Sequence, residues 1–203
     1  MPRENQYPTR DPLANVVPPN NDTPGYDSAA YKTCNNVSGG KTKTLNPGTY
    51  CNKNLSGNVT LKPGVYVFKG GDIKLGGGGS LTGKGVTIFL MDGAQFTSAA
   101  NEVIDLSPPT SGDYQGITIY QGKGNTNDLT LNGGTGTKLT GYIYAPDAHV
   151  FYAGNSTMSG DGDCVRVVGD TIEMTGASAF ANDCTGVLGN RNMYAGKQIT
   201  LLK

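Results

Sequence analysis

The sequence lacks several features on which common protein functions depend. Its 203 residues contain no tryptophan, a single histidine and no CxxC pair. Basic and acidic residues number 16 each, so the formal net charge is zero. A protein that binds a phosphate backbone needs a basic face, and so does one held on an anionic membrane surface. The balanced charge therefore argues against nucleic acid and anionic membrane as partners.

The chain also lacks long hydrophobic runs. No apolar stretch approaches the ~20 residues of a membrane-spanning helix, and the N-terminal sequence MPRENQYPTRDPL has no apolar signal-peptide core. We therefore expect no membrane insertion by this fragment. Two interpretations stay open. Either the protein is cytosolic, or Met1 is the start of a fragment that was taken from a longer exported protein.

The four cysteines help to decide between these interpretations. They are not expected to bind zinc, because a single histidine cannot complete a Cys/His ligand set. Cys34 and Cys51 are near neighbours in the sequence, and so are Cys164 and Cys184. The spacing favours two local disulfides, Cys34–Cys51 and Cys164–Cys184, and hence an oxidising, extracytoplasmic compartment. The alternative is four reduced, buried thiols.

Glycine is abundant, with 31 residues, and it separates short runs rich in β-branched and aromatic residues. These runs begin near residue 34, have the length of strands and mostly alternate with period two. Residues 1–33 are rich in proline and asparagine, which excludes a helix there. We predict an N-terminal linker or extended strap over 1–33, docked through Leu13, Val16 and Val17, and an all-β domain over 34–203.

Two sets of strands recur in step, with a repeat of about 22 residues and one insertion of about ten near residues 100–115. The first column of equivalent positions is Val67, Ile88, Ile119, Ile143 and Val167; the second is Ile73, Phe96, Leu129, Val150 and Ile172. This repeat predicts a right-handed parallel β-helix (β-solenoid) of roughly six to seven rungs. One end of the β-helix would be capped by residues 1–33 or by the last strand. An antiparallel sandwich or jelly roll is the alternative, but it does not predict two families in step.

Several motifs occur in a specific order along the chain: LNPGTYC (45–51), VTLKPGVYVFKGGDIKL (59–75), LTGKGVTIFL (81–90), LSPPTSGDYQGITIYQ (106–121) and LTGYIYAPDAHVFYAG (139–154). With them the chain resembles the C-terminal region of TadG-like, Tad/Flp pilus-assembly-related bacterial proteins. The resemblance implies an extracytoplasmic location, a link to tight-adherence pili and a membrane anchor further upstream. It implies no catalytic residues.

An aromatic strip is the candidate binding site. If Val67, Ile88, Ile119 and Ile143 point inward, their neighbours point outward, and rungs ~4.8 Å apart bring the rings together. The strip comprises Phe68, Phe89, Tyr120, Tyr142 and Tyr144, with Tyr66 beside them. An exposed strip of this kind marks an interaction surface for a sugar chain or a protein. Alternatively, the strip is covered by the insertion at 100–115 or by the N-terminal strap.

Metal binding and catalysis find little support in the sequence. Asp161 and Asp163 in GDGDC are the best metal candidates, but a solvated turn is favoured because further acidic ligands are missing. The acidic residues are scattered, whereas a glycosidase needs two carboxylates at a fixed separation. The constellation most worth testing is His149 with Asp170 and Glu173. We predict no catalytic residue and no cofactor.

These observations lead to one expected function and two alternatives. We expect a non-catalytic extracytoplasmic structural or adhesive module, associated with Tad pilus biogenesis or surface attachment. Its partners would be pilus or envelope proteins, or a surface glycan. The alternatives are a carbohydrate-binding β-helix and a polysaccharide lyase or hydrolase.

Overall fold

The computed structural model describes residues 11–20, 23–37, 40–134, 136–154, 157–158, 164–175 and 179–180. These residues form a β-solenoid with a single short helix. That helix is not long and apolar enough to cross a membrane. The elements are α1 (Ala29–Lys32), β1 (Thr42–Leu45), β2 (Gly48–Cys51), β3 (Asn58–Leu61), β4 (Gly64–Lys69), β5 (Asp72–Lys74), β6 (Ser80–Gly83), β7 (Val86–Met91), β8 (Gln95–Ser98), β9 (Val103–Leu106), β10 (Ile117–Gln121), β11 (Leu129–Gly133), β12 (Lys138–Leu139), β13 (Gly141–Gly154), β14 (Thr157–Met158), β15 (Val165–Thr175) and β16 (Ala179–Phe180).

The strands stack as successive coils of one solenoid. A five-stranded sheet has the order β1-β3-β6-β9-β12, and a nine-stranded sheet has the order β2-β4-β7-β10-β13-β11-β8-β5 with β15 beside β13. The larger sheet covers two sides of the solenoid because the 14 residues of β13 continue from one side to the other. Every pair among the described strands is parallel, which excludes the antiparallel sandwich. About five coils are described, fewer than the six to seven predicted.

The strand register confirms one predicted column and corrects the other. Ile73, Phe96, Leu129, Val150 and Ile172 pair in succession as predicted. Ile88, Ile119, Ile143 and Val167 also align, but Tyr66 rather than Val67 pairs with Ile88.

The error at Val67 has a physical cause. The four central residues of β4 are all buried, on both faces of the strand. Alternation of apolar and polar residues therefore cannot show which face points inward, and a slip of one residue exchanges the two faces. Tyr66 and Phe68 belong to the interior core, and Val67 belongs to a second cluster outside the sheet.

Glycines with positive φ shape the corners, and Gly141 at the start of β13 is closely surrounded. Its φ is +95°, and an added Cβ would lie 2.7 Å from the Gly116 carbonyl oxygen and 2.7 Å from Pro108. The left-handed backbone costs an L-residue roughly 1–2 kcal/mol, and the overlap adds roughly 1–3 kcal/mol. We expect Gly141→Ala to lower the free energy of unfolding by about 2–5 kcal/mol in urea titrations.

Gly76 is the matched control for Gly141. Its φ is +65°, yet an added Cβ would have no atom within 4 Å. Gly76→Ala should therefore show only the backbone cost of roughly 1–2 kcal/mol. Equal losses for the two variants would contradict the close packing around Gly141.

The described part of the N-terminal segment, residues 11–20 and 23–37, packs against the solenoid. It contains one turn of helix, α1, which corrects the expectation that proline excludes helix throughout residues 1–33; α1 begins beyond Pro24. Next to α1, the backbone N–H of Asn35 donates to the Thr49 carbonyl oxygen at 2.7 Å. The side-chain hydroxyl of Thr49 donates to the Tyr31 carbonyl oxygen at 2.9 Å. The segment thus covers the edge of β2, the first strand of the nine-stranded sheet.

Candidate functional site

The five side chains predicted to bind a partner are buried. Phe68 is in the interior core, while Phe89, Tyr120, Tyr142 and Tyr144 form a second apolar cluster on the outer side of the sheet. None of the five is more than 3% exposed. Of the two alternatives that the sequence left open, the structure shows the covered strip, and it corrects the place of Phe68, which lies in the interior.

Residues 11–20, called the strap below, form much of that cover. Leu13 is 1% exposed and packs into the second cluster together with Val16. Val17 does not dock as expected, since it is 63% exposed. The insertion contributes further cover through Tyr114, whose ring centroid lies 4.9 Å from that of Phe89. Both of the covers considered from the sequence are thus used together.

Tyrosine hydroxyls of the solenoid hold the strap backbone. The Tyr114 hydroxyl donates to the Val17 carbonyl oxygen at 2.9 Å, and the Tyr120 hydroxyl lies 3.5 Å from the Val16 carbonyl oxygen. The rings of Tyr120 and Tyr144 stack with centroids 4.7 Å apart. Aromatic rings so placed bury a large apolar area and leave the hydroxyl at the edge for a hydrogen bond.

Asp11 anchors the start of the strap with three donors. Its carboxylate accepts a hydrogen bond from the Tyr144 hydroxyl at 2.8 Å and forms an ion pair with Lys123 at 3.0 Å. It also accepts from the backbone N–H of Leu13 at 2.9 Å. Burial raises the pKa of the Asp11 carboxyl, but these three partners more than offset that effect, so the pKa is lowered overall. Burial and the bond to Asp11 raise the pKa of Tyr144.

The lowered pKa of Asp11 predicts a pH dependence of the anchor. A carboxyl whose pKa is lower in the folded state than in the unfolded chain stabilises the folded state at pH values above the unfolded pKa of about 3.9. This stabilisation is lost as the pH falls through the pKa of the folded state. We expect Asp11→Asn to lower the melting temperature by up to about 4 °C at pH 7. The gap to the unmodified chain should close below about pH 4 in thermal scans. A gap that is constant from pH 7 to pH 3 would contradict an anchor made by the ionised carboxylate.

The N-terminal segment runs along the solenoid in the direction opposite to the coils. Asp11 contacts Tyr144 on β13, and Val16 contacts Tyr120 on β10. Further along the segment, the Tyr31 hydroxyl donates to the Val65 carbonyl oxygen on β4 at 3.1 Å. Cys34 then forms a disulfide with Cys51 on β2. The described residues between Asp11 and Cys34 therefore lead from the fifth coil to the first.

The disulfide predicted between Cys34 and Cys51 is confirmed, with Cα atoms 5.4 Å apart. It fixes the end of the segment that lies at the first coil. Cys164 is buried against the second cluster, and its expected partner, Cys184, lies outside the described residues. The Cys164–Cys184 pair stays a prediction.

The metal and catalytic candidates give no assembled centre in the described residues. Asp161 and Asp163 lie outside them, and no group of three or more His, Cys, Asp or Glu side chains within them could hold a metal ion. His149 is near two groups on the outer side of β15. Its Nδ1 lies 2.7 Å from Thr171 Oγ1, and its Nε2 lies 3.7 Å from Glu173 Oε2. Asp170, the third member of that trio, is exposed on the same strand.

Pockets on the described surface include one beside the strap and one beside a turn. The larger, about 540 Å³, lies between the strap and the insertion and is lined by Pro12, Asn15, Val16, Val17, Thr23, Asp113 and Tyr114. The smaller, about 340 Å³, lies at the turn formed by residues 122–127. Asn125 and Asn127 donate side-chain hydrogen bonds to the Ala94 and Gly93 carbonyl oxygens at 2.9 and 2.8 Å. These amides hold the turn on the coil below it.

The outer face of β13 carries a partly exposed aromatic residue. Phe151 is half-buried, and its ring centroid lies 6.5 Å from that of His149. Thr130 on β11 and Glu173 on β15 are its register neighbours. A ring bordered by a hydroxyl and a carboxylate offers both stacking and hydrogen bonds to a polar ligand.

Sequence reasoning missed Asp11, Lys123 and Tyr114 as parts of the strap contact. No spacing or period relates residue 11 to residue 144, so only the folded arrangement brings them together. The three residues lie in the strap, in a turn and in the insertion, outside the repeating strands.

Comparison with known proteins gives one match. No curated protein and no solved structure matches the chain. Residues 21–184 match the family described as a domain of unknown function, DUF7305. The match takes in the first coil, the covered aromatic cluster and most of the segment that leads from the strap to Cys34, whereas the strap itself precedes it. Since the match spans well over half of the 203 residues, the chain belongs to the DUF7305 family.

Proposed function

We propose that the chain is a non-catalytic extracytoplasmic structural or adhesive module, associated in bacteria with Tad pilus biogenesis or surface attachment. In this proposal the coils wind right-handed, as parallel strand crossovers do in general. The observation that carries the proposal is the closed construction of the solenoid. Its outer aromatic cluster is covered by the strap, and a disulfide fixes the segment that follows the strap to the first coil.

The disulfide supports an extracytoplasmic location because such bonds persist in oxidising compartments. A test is the redox state of Cys34 and Cys51 in the native cell. Thiol alkylation of intact cells without reductant should leave both cysteines unmodified, and alkylation after reduction should modify both. Alkylation of either cysteine without reductant would contradict the proposed location.

The distribution of ionisable groups supports the non-catalytic part of the proposal. The two pockets described above are not lined by His149 or Glu173. These two side chains lie instead on an outer strand face, with 33% and 55% of each exposed. Incubation with a panel of bacterial glycans, with product analysis by mass spectrometry, should yield no cleavage. Any product that is lost in His149→Ala would overturn this part.

The link to attachment can be tested in a strain that lacks this chain. We expect the deletion to reduce attachment to surfaces, and re-expression of the full chain to restore it. Pilus staining of the same cells distinguishes a role in pilus biogenesis from direct adhesion. Unchanged attachment together with unchanged piliation would contradict the proposal.

Carbohydrate binding is the second candidate, and the outer face around Phe151 favours it. We propose this face as the sugar-binding surface because it combines a partly open ring with Thr130 and Glu173 as hydrogen-bonding neighbours. Phe151→Ala should abolish retention on a glycan array. Thr82→Ala, on the outer face of the five-stranded sheet, is the matched control and should retain binding. Equal retention by both variants would eliminate this surface.

A further inference from the structure

The strap contacts the solenoid in the way a bound peptide contacts a groove. The solenoid supplies a cation for the Asp11 carboxylate, an aromatic pocket for Leu13 and hydroxyls for the Val16 and Val17 carbonyl oxygens. Residue 11 is separated from Tyr144 by 133 positions in the sequence. The contacts therefore depend on the groups that meet and not on their being in the same chain.

A turn separates the strap from the part of the segment that is fixed to the first coil. Gly25 has a φ of +83°, and an added Cβ there would meet no atom within 4 Å. Beyond it, Tyr31 is hydrogen-bonded to β4 and Cys34 is covalently bonded to β2. The strap can consequently leave its groove by rotation near Gly25 while the cover of the first coil stays in place.

We propose that the groove beneath the strap is an interaction site for a second copy of this chain, and that two copies exchange their straps. In the exchanged pair, each Asp11 meets the Lys123 and Tyr144 of the other molecule, so every strap contact of the single chain is kept. Such an exchange is symmetric and closes on itself. With α1 and Tyr31 kept at the first coil, residues 20–28 span up to about 30 Å when extended, which is enough to reach a solenoid packed against the first.

Charge complementarity is the feature that makes the exchange specific. The ion pair between Asp11 and Lys123 joins the strap to the groove at 3.0 Å. Reversing the charge on one side opposes docking within the same chain, since like charges then meet. Mixing a chain with a reversed strap and a chain with a reversed groove restores the match at both sites, but only if the straps are exchanged.

The test mixes Asp11→Lys and Lys123→Glu chains of different isotopic mass, after brief warming and cooling together. In native mass spectrometry we expect the mixed dimer to exceed either like dimer by about tenfold or more. The Asp11→Lys/Lys123→Glu chain, whose strap matches its own groove again, is the control and should show no such preference for the mixed partner. A mixture with no excess of the mixed dimer would overturn the proposal.

A peptide of residues 11–19 provides a second measurement that does not require a stable dimer. Fluorescence anisotropy should show that the peptide with Asp at its first position binds the Asp11→Lys chain, whose own strap is mismatched. The same peptide with Lys at that position should bind several-fold more weakly, and this order should reverse in the Lys123→Glu chain. Equal affinities for the two peptides would contradict a groove that recognises the strap in trans.

Discussion

Replacing Ile119 by aspartate should unfold the domain. Ile119 is 0% exposed and pairs with Ile88 on one side and Ile143 on the other, in the interior column of the solenoid. An unpaired carboxylate at this position costs several kcal/mol, which is comparable to the roughly 5–15 kcal/mol that stabilise a typical domain. Circular dichroism should show either no cooperative melting transition or a melting temperature lowered by tens of degrees.

Two controls separate this effect from the general effect of a mutation. Ile119→Val keeps an apolar side chain and should cost only about 0.5–1.5 kcal/mol. Thr60→Asp places the same charge on an exposed outer position of β3 and should change stability by roughly 0.5 kcal/mol or less. If Ile119→Asp melts cooperatively within a few degrees of the unmodified chain, the assignment of the interior column is wrong.

Removal of the Cys34–Cys51 disulfide should produce the second large effect. The bond closes a loop with a sequence separation of 17 residues, for which chain-entropy models give about 3 kcal/mol. The Cys34→Ser/Cys51→Ser variant should therefore melt about 6–12 °C below the unmodified chain in differential scanning calorimetry. The loss should be accompanied by faster proteolysis near residues 23–37, because the first coil loses its covalent cover.

Serine variants are preferable to a reductant in this experiment. A reductant would also act on the Cys164–Cys184 pair that the sequence predicts, and the two effects would be combined. The Cys164→Ser/Cys184→Ser variant supplies the comparison, and its effect should add to that of the first pair. A melting temperature unchanged by Cys34→Ser/Cys51→Ser would show that the bond restricts little of the unfolded chain.

The repeat and one of its two columns could be predicted from sequence for a clear reason. Ile73, Phe96 and Leu129 are apolar residues whose immediate neighbours are mostly polar, so the inward face is marked at each coil. Parallel pairing in register then follows from the recurrence of this pattern about every 22 residues, apart from the one insertion. The column through β4 could not be placed because that strand is apolar on both faces.

The candidate site was predictable only in part. The sequence indicated that an aromatic strip would exist and that the N-terminal segment could cover it through Leu13. It could not indicate that Asp11 would find Lys123 and Tyr144, because such pairing depends on how the segment crosses the coils. Whether the aromatic side chains are exposed or buried depends on whether the strip is covered. The covering in turn depends on contacts between residues that are far apart in the sequence.

The reversed path of the N-terminal segment sets the order in which the molecule can be completed. Cys34 and Cys51 are separated by 17 residues, so both are made early in synthesis. Asp11, in contrast, cannot form its bond to Tyr144 until Tyr144 has been made, 133 residues later. At roughly 5–20 residues per second this wait lasts about 7–27 seconds. Once made, the rings of Phe89 on β7 and Tyr120 on β10 have no anchored strap over them until Tyr144 follows, and a nascent chain with such rings open is vulnerable to aggregation. Strap docking is thus among the last steps of folding, and a chain that stops before the fifth coil cannot close.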